Sequence, residues 1–532
     1  MSDKKHYFIT TAIDYANSKP HIGHAYEKVT TDIIARYKRL KGFDVYFSTG
    51  TDEHSLNVMA KAKETGVDPK TYVDSMAVAF KDLCSQYKIS ITDFVQTSEE
   101  RHAKAVSEIF RRSFESGDIY KGTYEGWYCK SCEAFYAQGE LTEDNCCPTH
   151  KTQADLIKED NYFLKITKYT DRLLKHIEDN PDFIQPETRK NEILAMLKSG
   201  FRDVSVSRPG LNWGIPLPVD HTQTVYVWFD ALINYITAVG FATDEEKFKK
   251  YWPADAHIIG KDITKFHCII WPIMLMSAGL ALPKKVFGHG HLLYKGEKMS
   301  KTRGNIVDPI NIANVFGVDV IRYYFAANIT NGTDGEFSEE SIILCFNTDL
   351  ANDLGNLINR SINMVEKYCG AKVPEFFDHI LDEKMKTIVE KAKQVKQVYF
   401  DRMDAFNLSG ALDSAWELIS MANKLIEDEA PWNLQKNNKV HELETVLYIL
   451  LEVIRLASIV ILPVMPDTAP QIWEKIGVNY DEKTINIDEE LNFGKLIKGG
   501  AVSKGNPLFP RILDEKEAEK LKLMKEKQAK KA

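Results

Sequence analysis

Three consecutive segments decide the fold: HYFITTAI from His6 to Ile13, the turn DYANSKP ending at Pro20, and HIGHAYEKVTTDIIARYKRL from His21 to Leu40. The first is apolar and β-rich, and the second is turn chemistry. In the third, Val29, Ile33, Ile34, Tyr37 and Leu40 recur at helical spacing. Gly42 ends that helix, and Val45–Ser48 reads as the next strand. Strand, helix and strand inside fifty residues make a βαβ unit and so imply a parallel sheet. Pro20, just ahead of the helix, suits its first turn.

Working outward, the texture changes near Lys121 to short aromatic and cysteine-rich pieces that run to His150. Mixed segments follow, up to a loop, SRPGLNWGIPLP, from Ser207 to Pro218. The βαβ texture returns at Thr224–Val227, His257–Gly260 and Val286–Gly290, which suggests one nucleotide-binding sheet split by an insertion. After about Asn347 everything reads as helix, with long amphipathic runs at Lys384–Arg402 and Leu443–Leu462. Glu515–Ala532 holds seven Lys and four Glu and reads as a solvated helix or linker. The fold class is therefore α/β: a Rossmann-type parallel sheet, split by an insertion and followed by an all-α bundle.

At 532 residues the chain is long enough for several domains. Its composition is 44% hydrophobic, 27% charged and 11% aromatic, which excludes disordered and fibrous classes. A net charge of −8 means that any nucleic-acid partner needs a local basic surface. The N-terminus carries no apolar or Arg-rich leader. The most apolar stretch, Val446–Met465, is interrupted by Glu452, Arg455 and Pro463, so it reads as a buried helix rather than a membrane span. A soluble cytoplasmic protein is expected.

Two motifs carry phosphate chemistry. His21-Ile-Gly-His24 sits where the first strand hands over to the first helix, whose N–H groups and dipole favour phosphate. Gly23 lets a nucleotide lie against the backbone, and both imidazoles can reach one phosphate. Lys298-Met299-Ser300-Lys301-Thr302 places two lysines around small polar residues, suited to charge on a leaving pyrophosphate. Alone, this second motif would read as a solvated charge run. Together the pair resembles the HIGH and KMSKS signatures of class I aminoacyl-tRNA synthetases, with Thr302 in place of the final Ser.

Further segments narrow the resemblance to the methionyl-tRNA synthetase family. They are AIDYAN from Ala12, TGTDEH from Thr49, YVWFDA from Tyr226, and GKDI from Gly260 continuing through Phe266-His267 to Trp271. Asp14 stands where that family commonly has proline, and Ser55 where it has glycine. The likeness covers most of residues 6–470. It implies methionine activation by ATP, transfer to the terminal adenosine of tRNA(Met), and no acylated side chain. His21, His24, Lys298 and Lys301 then act on phosphates by positioning and charge stabilisation. ATP binding falls to these four with Gly23, Gly260, Asp262, Met299, Ser300 and Thr302, and Mg2+ accompanies ATP. Asp52, at the sheet's C-terminal edge, is placed for the methionine ammonium. Ala12, Ile13, Tyr15, Trp228, Ala231, Leu232, Tyr235, Ile263, His267 and Trp271 form the side-chain pocket, where a polarizable thioether gains from aromatic contact. His267, four residues before Trp271 on one face of a short helix, is expected near the sulfur. Any one of these aromatics alone would read as ordinary core.

Cys129-x-x-Cys132, fourteen residues, then Cys147-Pro-Thr-His150 is a tetrahedral zinc spacing, and four protein ligands make a structural site with one Zn2+ per chain. Cys146, beside Cys147, leaves the third ligand ambiguous; Cys147 is preferred because it keeps a two-residue spacing to His150. In the helical region Asn356 and Arg360 lie four apart, and Trp432 follows a helix end. By resemblance these three read the CAU anticodon by stacking and base-edge contacts.

The expected domains are 1–117 (first sheet half), 118–222 (insertion with the knuckle), 223–325 (second sheet half), 326–355 (stem-contact region), 356–510 (anticodon-binding bundle) and 511–532 (charged tail). The nearest alternative is a class I synthetase for another amino acid, such as cysteine, which would use zinc at an open coordination position. Branched-chain enzymes need a large editing domain, for which the insertion is too short. A catalytically inert tRNA-binding relative is disfavoured by the two intact motifs. A monomer is expected for the chain as given, and a dimer if a further C-terminal tRNA-binding domain follows it.

Overall fold

The computed structural model describes residues 4–129, 134–136, 139, 141–142, 144–148, 151–209, 212–294, 296–299 and 306–512. The chain forms two compact units. One comprises His6–Pro20 and Asp44–His289; the other comprises His21–Phe43 and everything from Gly290 onward, with Met1–Lys5.

The first unit is built on a seven-stranded, all-parallel sheet. Asp44–Asp52 pairs with Asp93–Gln96 on one side and with His6–Thr11, followed by Asp14–Tyr15, on the other. His6–Thr11 then pairs with Ala256–Gly260, which continues to Val286–His289 and Ile184–Gln185. Parallel neighbours cannot be joined by a tight turn. The nineteen-residue helix Ile22–Leu40 supplies the connection between the first two long strands. Phe8, Ile9, Phe47, Val95 and Ile259 are fully buried, as strands covered on both faces require.

Three local expectations are corrected. Thr224–Val227 is no member of the parallel sheet: Asp220–Val225 pairs antiparallel with Ser207–Pro209 and Pro216–Leu217, and Val227 begins a helix. The supposed loop Ser207–Pro218 therefore contains two short strands, which its Gly and Pro content concealed. Pro20 lies outside the first helical turn, because His21 is the N-cap. A separate antiparallel sheet carries the inserted region, with Ile119–Cys129 between Ala134–Tyr136 and Asp155–Leu164, and Val204–Ser205 at its edge.

The second unit is mainly helical. Its long helices are Asn356–Cys369, Glu383–Asp404, Leu408–Glu429 and Val440–Ile461. In the last, every residue from Thr445 to Ile461 is buried. Its charges are used: Arg455 pairs with Glu452 and donates to Glu490 O and Asn492 O at 2.7 and 2.6 Å, fastening the chain that returns over the helix. Among the described residues no helix is long and apolar enough to cross a membrane. Glu515–Ala532 lies outside the described residues.

One buried group ties this unit together. The Arg322 guanidinium, on helix Val318–Asn328, is fully shielded from solvent. It donates to Asp32 Oδ2 on helix Ile22–Leu40 at 2.8 Å, and at the same distance to the carbonyls of Pro463 and Val464 beyond helix Val440–Ile461. Arg36 donates to the same Asp32 oxygen, also at 2.8 Å. Removing Arg322 leaves the buried carbonyls of Pro463 and Val464 without this donor and Asp32 with Arg36 alone, in a medium that solvates them poorly. Arg322→Met is expected to cost about 3–5 kcal/mol in urea unfolding. A loss below about 1 kcal/mol would show that the packing around it carries the load.

Candidate active site

Four chain segments converge at the C-terminal edge of the parallel sheet, where the strand order reverses between His6–Thr11 and Ala256–Gly260. That crevice is where open α/β sheets bind ligands. It holds a half-open cleft of about 500 Å³, part of which is open to solvent. Ala12, Ile13 and Tyr15 come from the end of the first strand, and Asp52 from the end of the second. Trp228, Ala231 and Leu232 lie on helix Val227–Leu232, with Asn234 and Tyr235 just after it. Ile263, Phe266 and His267 close the remaining side.

Of the eleven pocket residues expected from the sequence, ten line this cleft. The exception is Trp271, fully buried behind Tyr235 with ring centroids 5.9 Å apart. The turn Phe266–Ile270 is a π-helix, in which Trp271 N bonds to Phe266 O five residues back, so a four-residue spacing no longer means one face. Asn234 and Phe266 join the lining without having been singled out; neither belongs to a recognisable chemical pattern.

Hydrogen counting defines the polar end of the aromatic wall. Ile263 O can only accept, so His267 Nδ1 donates to it at 2.9 Å. Its Nε2 stands 2.6 Å from the Tyr235 hydroxyl. Both nitrogens of His267 are thus engaged, and what it offers a ligand is ring surface. Tyr235 in turn lies 4.1 Å from the buried His257 ring. Burial, and then the neighbouring His267, hold His257 well below the usual histidine range. It stays neutral, accepting from Trp271 Nε1 at 3.3 Å and bonding Thr10 Oγ1 at 2.8 Å. The cleft therefore presents a shaped, polarizable surface with one nearly buried carboxylate, Asp52, 4% exposed. Such a lining suits a free apolar amino acid, its ammonium on the carboxylate. Gly260, buried, ends its strand at the same edge, and Asp262 is exposed on the next turn, Lys261–Ile263.

The phosphate motif is resolved in the second unit. His21 caps helix Ile22–Leu40: its Nδ1 accepts from Gly23 N at 3.1 Å, and His24 Nδ1 accepts from His21 N at 3.0 Å. This is a capping box made of two histidines. Backbone N–H groups only donate, so both Nδ1 atoms are unprotonated and each neutral ring carries its hydrogen on Nε2. The rings stack with centroids 3.8 Å apart. Two Nε2–H donors are thereby oriented at a helix N-terminus, where anions are favoured. Ile22 N also donates to Val307 O at 3.1 Å, linking this terminus to the chain just beyond the lysine motif. In that motif Lys298 ends a short strand and Met299 is half-buried, while Ser300, Lys301 and Thr302 lie outside the described residues.

Cys129 and Cys147 share a neighbour, Thr152. Cys129 pairs with Ala134 across a hairpin, and Cys147 O accepts from Lys151 N at 2.9 Å. Thr152 touches both, its hydroxyl 3.6 Å from Cys129 Sγ and its carbonyl accepting from Cys147 N at 2.8 Å. Both thiols are fully buried, whereas Cys146 is half-exposed with its Sγ 3.7 Å from Asp144 O. Cys132 and His150 lie outside the described residues. Among the described residues no three metal-ligating side chains converge.

In the helical bundle Arg360 donates to Glu427 Oε1 at 2.6 Å, which sets it beside the end of helix Leu408–Glu429. Ala430 there takes φ 44°, Pro431 starts the next helix, and Trp432 is left 45% exposed. Asn356, half-buried, begins the helix that carries Arg360.

A family model for class I tRNA synthetases (M) matches residues 7–155 and 139–362, and one for the anticodon-binding domain of methionyl tRNA ligase matches 374–527. The chain is 46% identical over 530 residues to the methionine–tRNA ligase of Caldanaerobacter subterraneus, covering 99% of this chain and 82% of that one. It is 45% identical over 514 residues to that of Thermotoga maritima, covering 95% and 80%. A solved Mycobacterium tuberculosis methionyl-tRNA synthetase in complex with methionyl-adenylate superposes with a TM-score of 0.90 at 39% identity, covering 95% of this chain and 100% of that one.

The capping geometry makes Gly23 testable. A Cβ at this position would stand 2.9 Å from His21 Cε1, so the ring must leave its cap. Gly23→Ala is expected to slow ATP–pyrophosphate exchange about a hundredfold while costing only about 1 kcal/mol in thermal stability. Exchange at the wild-type rate would mean that the stacked imidazoles do not serve phosphate.

Proposed function

The chain belongs to the class I methionyl-tRNA synthetases, and from that premise we propose that it ligates methionine to tRNA(Met) in two steps. The methionine carboxylate attacks the α-phosphate of ATP, giving methionyl-adenylate and pyrophosphate. The acyl group then passes to the 3′-terminal adenosine of the tRNA. The observation that carries this reading is the cleft at the sheet edge, one carboxylate facing an aromatic wall of side-chain size.

Asp52 receives the ammonium, and Trp228, Tyr235, Phe266 and Ile263 surround the thioether, which gains about 0.3–1.5 kcal/mol from each favourable sulfur–aromatic contact. His21 and His24 donate through Nε2–H to phosphate oxygens, while Lys298 and Lys301 neutralise the departing pyrophosphate. Gly260 and Asp262 contact the nucleotide, as do Met299, Ser300 and Thr302 beside the lysines. Catalysis is positioning and charge stabilisation, with no covalent enzyme intermediate. Mg2+ bound with ATP supplies further neutralisation of phosphate charge.

Cys129, Cys132, Cys147 and His150 hold one structural zinc, and a soft three-thiolate, one-imidazole set fits that ion. The full burial of Cys147, with Cys146 half-exposed, supports Cys147 as third ligand. Asn356, Arg360 and Trp432 read the anticodon; the exposure of Trp432 supports a stacking role.

Two assays on one preparation test the division of labour. Wild-type protein is expected to support methionine-dependent ATP–pyrophosphate exchange and to charge tRNA(Met). Trp432→Ala is expected to keep exchange while losing about 1–3 kcal/mol of tRNA binding. Equal loss in both assays, with a lower melting temperature, would return Trp432 to a packing role.

A further inference from the structure

Behind the cleft a buried carboxylate is bonded on both sides to histidines. Asp230, 1% exposed, accepts from His54 Nδ1 on Oδ2 at 2.7 Å and from His102 Nε2 on Oδ1 at 2.8 Å. His102, fully buried on helix Glu100–Glu115, bonds Thr237 Oγ1 through Nδ1 at 3.0 Å. The Thr237 hydroxyl hydrogen goes to Ile233 O at 3.0 Å, so its oxygen accepts from the ring. His102 thus ties the carboxylate to Thr237 on the side away from His54. Burial pushes the Asp230 carboxyl up, but the two imidazoles more than offset this and hold it at about 2.

The carboxylate occupies a telling place in the chain. It lies on helix Val227–Leu232, six residues long, with no side-chain cap at its N-terminus. A helix of that length does not hold its position unaided. Yet it carries Trp228, Ala231 and Leu232 into the cleft. His54 stands two residues beyond Asp52, just past the strand end that supplies the cleft's carboxylate. His54 and Asp230 are both absent from the cleft lining, so their bond runs behind it and joins its two ends.

We propose that Asp230, gripped by His54 and His102, is the positioning residue that keeps the Trp228–Ala231 wall at the separation from Asp52 that one methionine fills. The clamp acts on amino-acid binding and leaves phosphate chemistry alone. It rests on the methionine reading of the cleft. The charge-assisted bond to His54 is the link between the two ends of the pocket, and its removal lets the uncapped helix shift.

Three variants decide it, with methionine and ATP titrated separately in pyrophosphate exchange. His54→Ala is expected to raise KM for methionine about tenfold, with KM for ATP and kcat within about twofold of wild type. His54→Asn, whose amide N–H can donate to Asp230 in place of Nδ1–H, is expected to recover most of the loss. Asp230→Asn is expected to act like His54→Ala, and is read in its place if His54→Ala melts below the assay temperature. An unchanged KM for methionine overturns the proposal. So does a joint fall in kcat and both affinities that His54→Asn fails to rescue, since that pattern marks a general structural role. Wild-type protein without methionine-dependent exchange would instead refute the reading of the cleft itself.

Discussion

A guanidinium removed from water must find acceptors inside the protein, and Arg322 finds them on two elements distant in sequence. Asp32, on the helix that His21 caps, supplies the counter-charge, and the carbonyls of Pro463 and Val464 complete the shell. Few sequences satisfy that constraint. It requires the loop after helix Val440–Ile461 to turn its carbonyls inward, and it requires an acidic residue on the buried face of the helix that His21 caps. Nearby, Asp319 Oδ2 accepts from the backbone N–H groups of Asp467 and Thr468, at 3.0 and 2.8 Å, so a second charged side chain of the same helix orders the same loop. The stacked histidines at the helix N-terminus are held steady because the helix beneath them is fastened in this way.

The other unit meets a comparable constraint with different residues. Asp230 is as deeply buried as Arg322, and the groups that hold it are the imidazoles of His54 and His102. In both cases a buried polar contact between residues far apart in sequence fastens one helix, and that helix bears candidate site residues: the stacked imidazoles in one unit, the cleft wall in the other. Buried ion pairs contribute little net stability when compared with apolar replacements, and their use here fits a role in fixing geometry.

Legibility in the sequence followed the range of the interactions. The first strands and the helix between them were readable because periodicity and turn residues are local. So were His21 and His24, whose spacing itself forms the cap. Most of the cleft was readable only through family resemblance, since Tyr15, Trp228 and Tyr235 look like core by composition. Trp271 was misplaced because a π-turn alters the helical period, which residue spacing does not reveal. Asp220–Val225 was assigned to the wrong sheet because a short β-rich run carries no sign of its partner. The two buried pairs, 290 residues apart for Asp32 and Arg322 and 128 for His102 and Asp230, left no local trace.

In the proposed reading the cleft selects one amino acid before any phosphate chemistry begins. ATP–pyrophosphate exchange by the wild-type protein, run separately with each of the twenty amino acids, measures that selection directly. Exchange with methionine, and only background with the rest, is the expected result. Exchange sustained by cysteine or a branched-chain amino acid at a rate equal to or above that with methionine would contradict it.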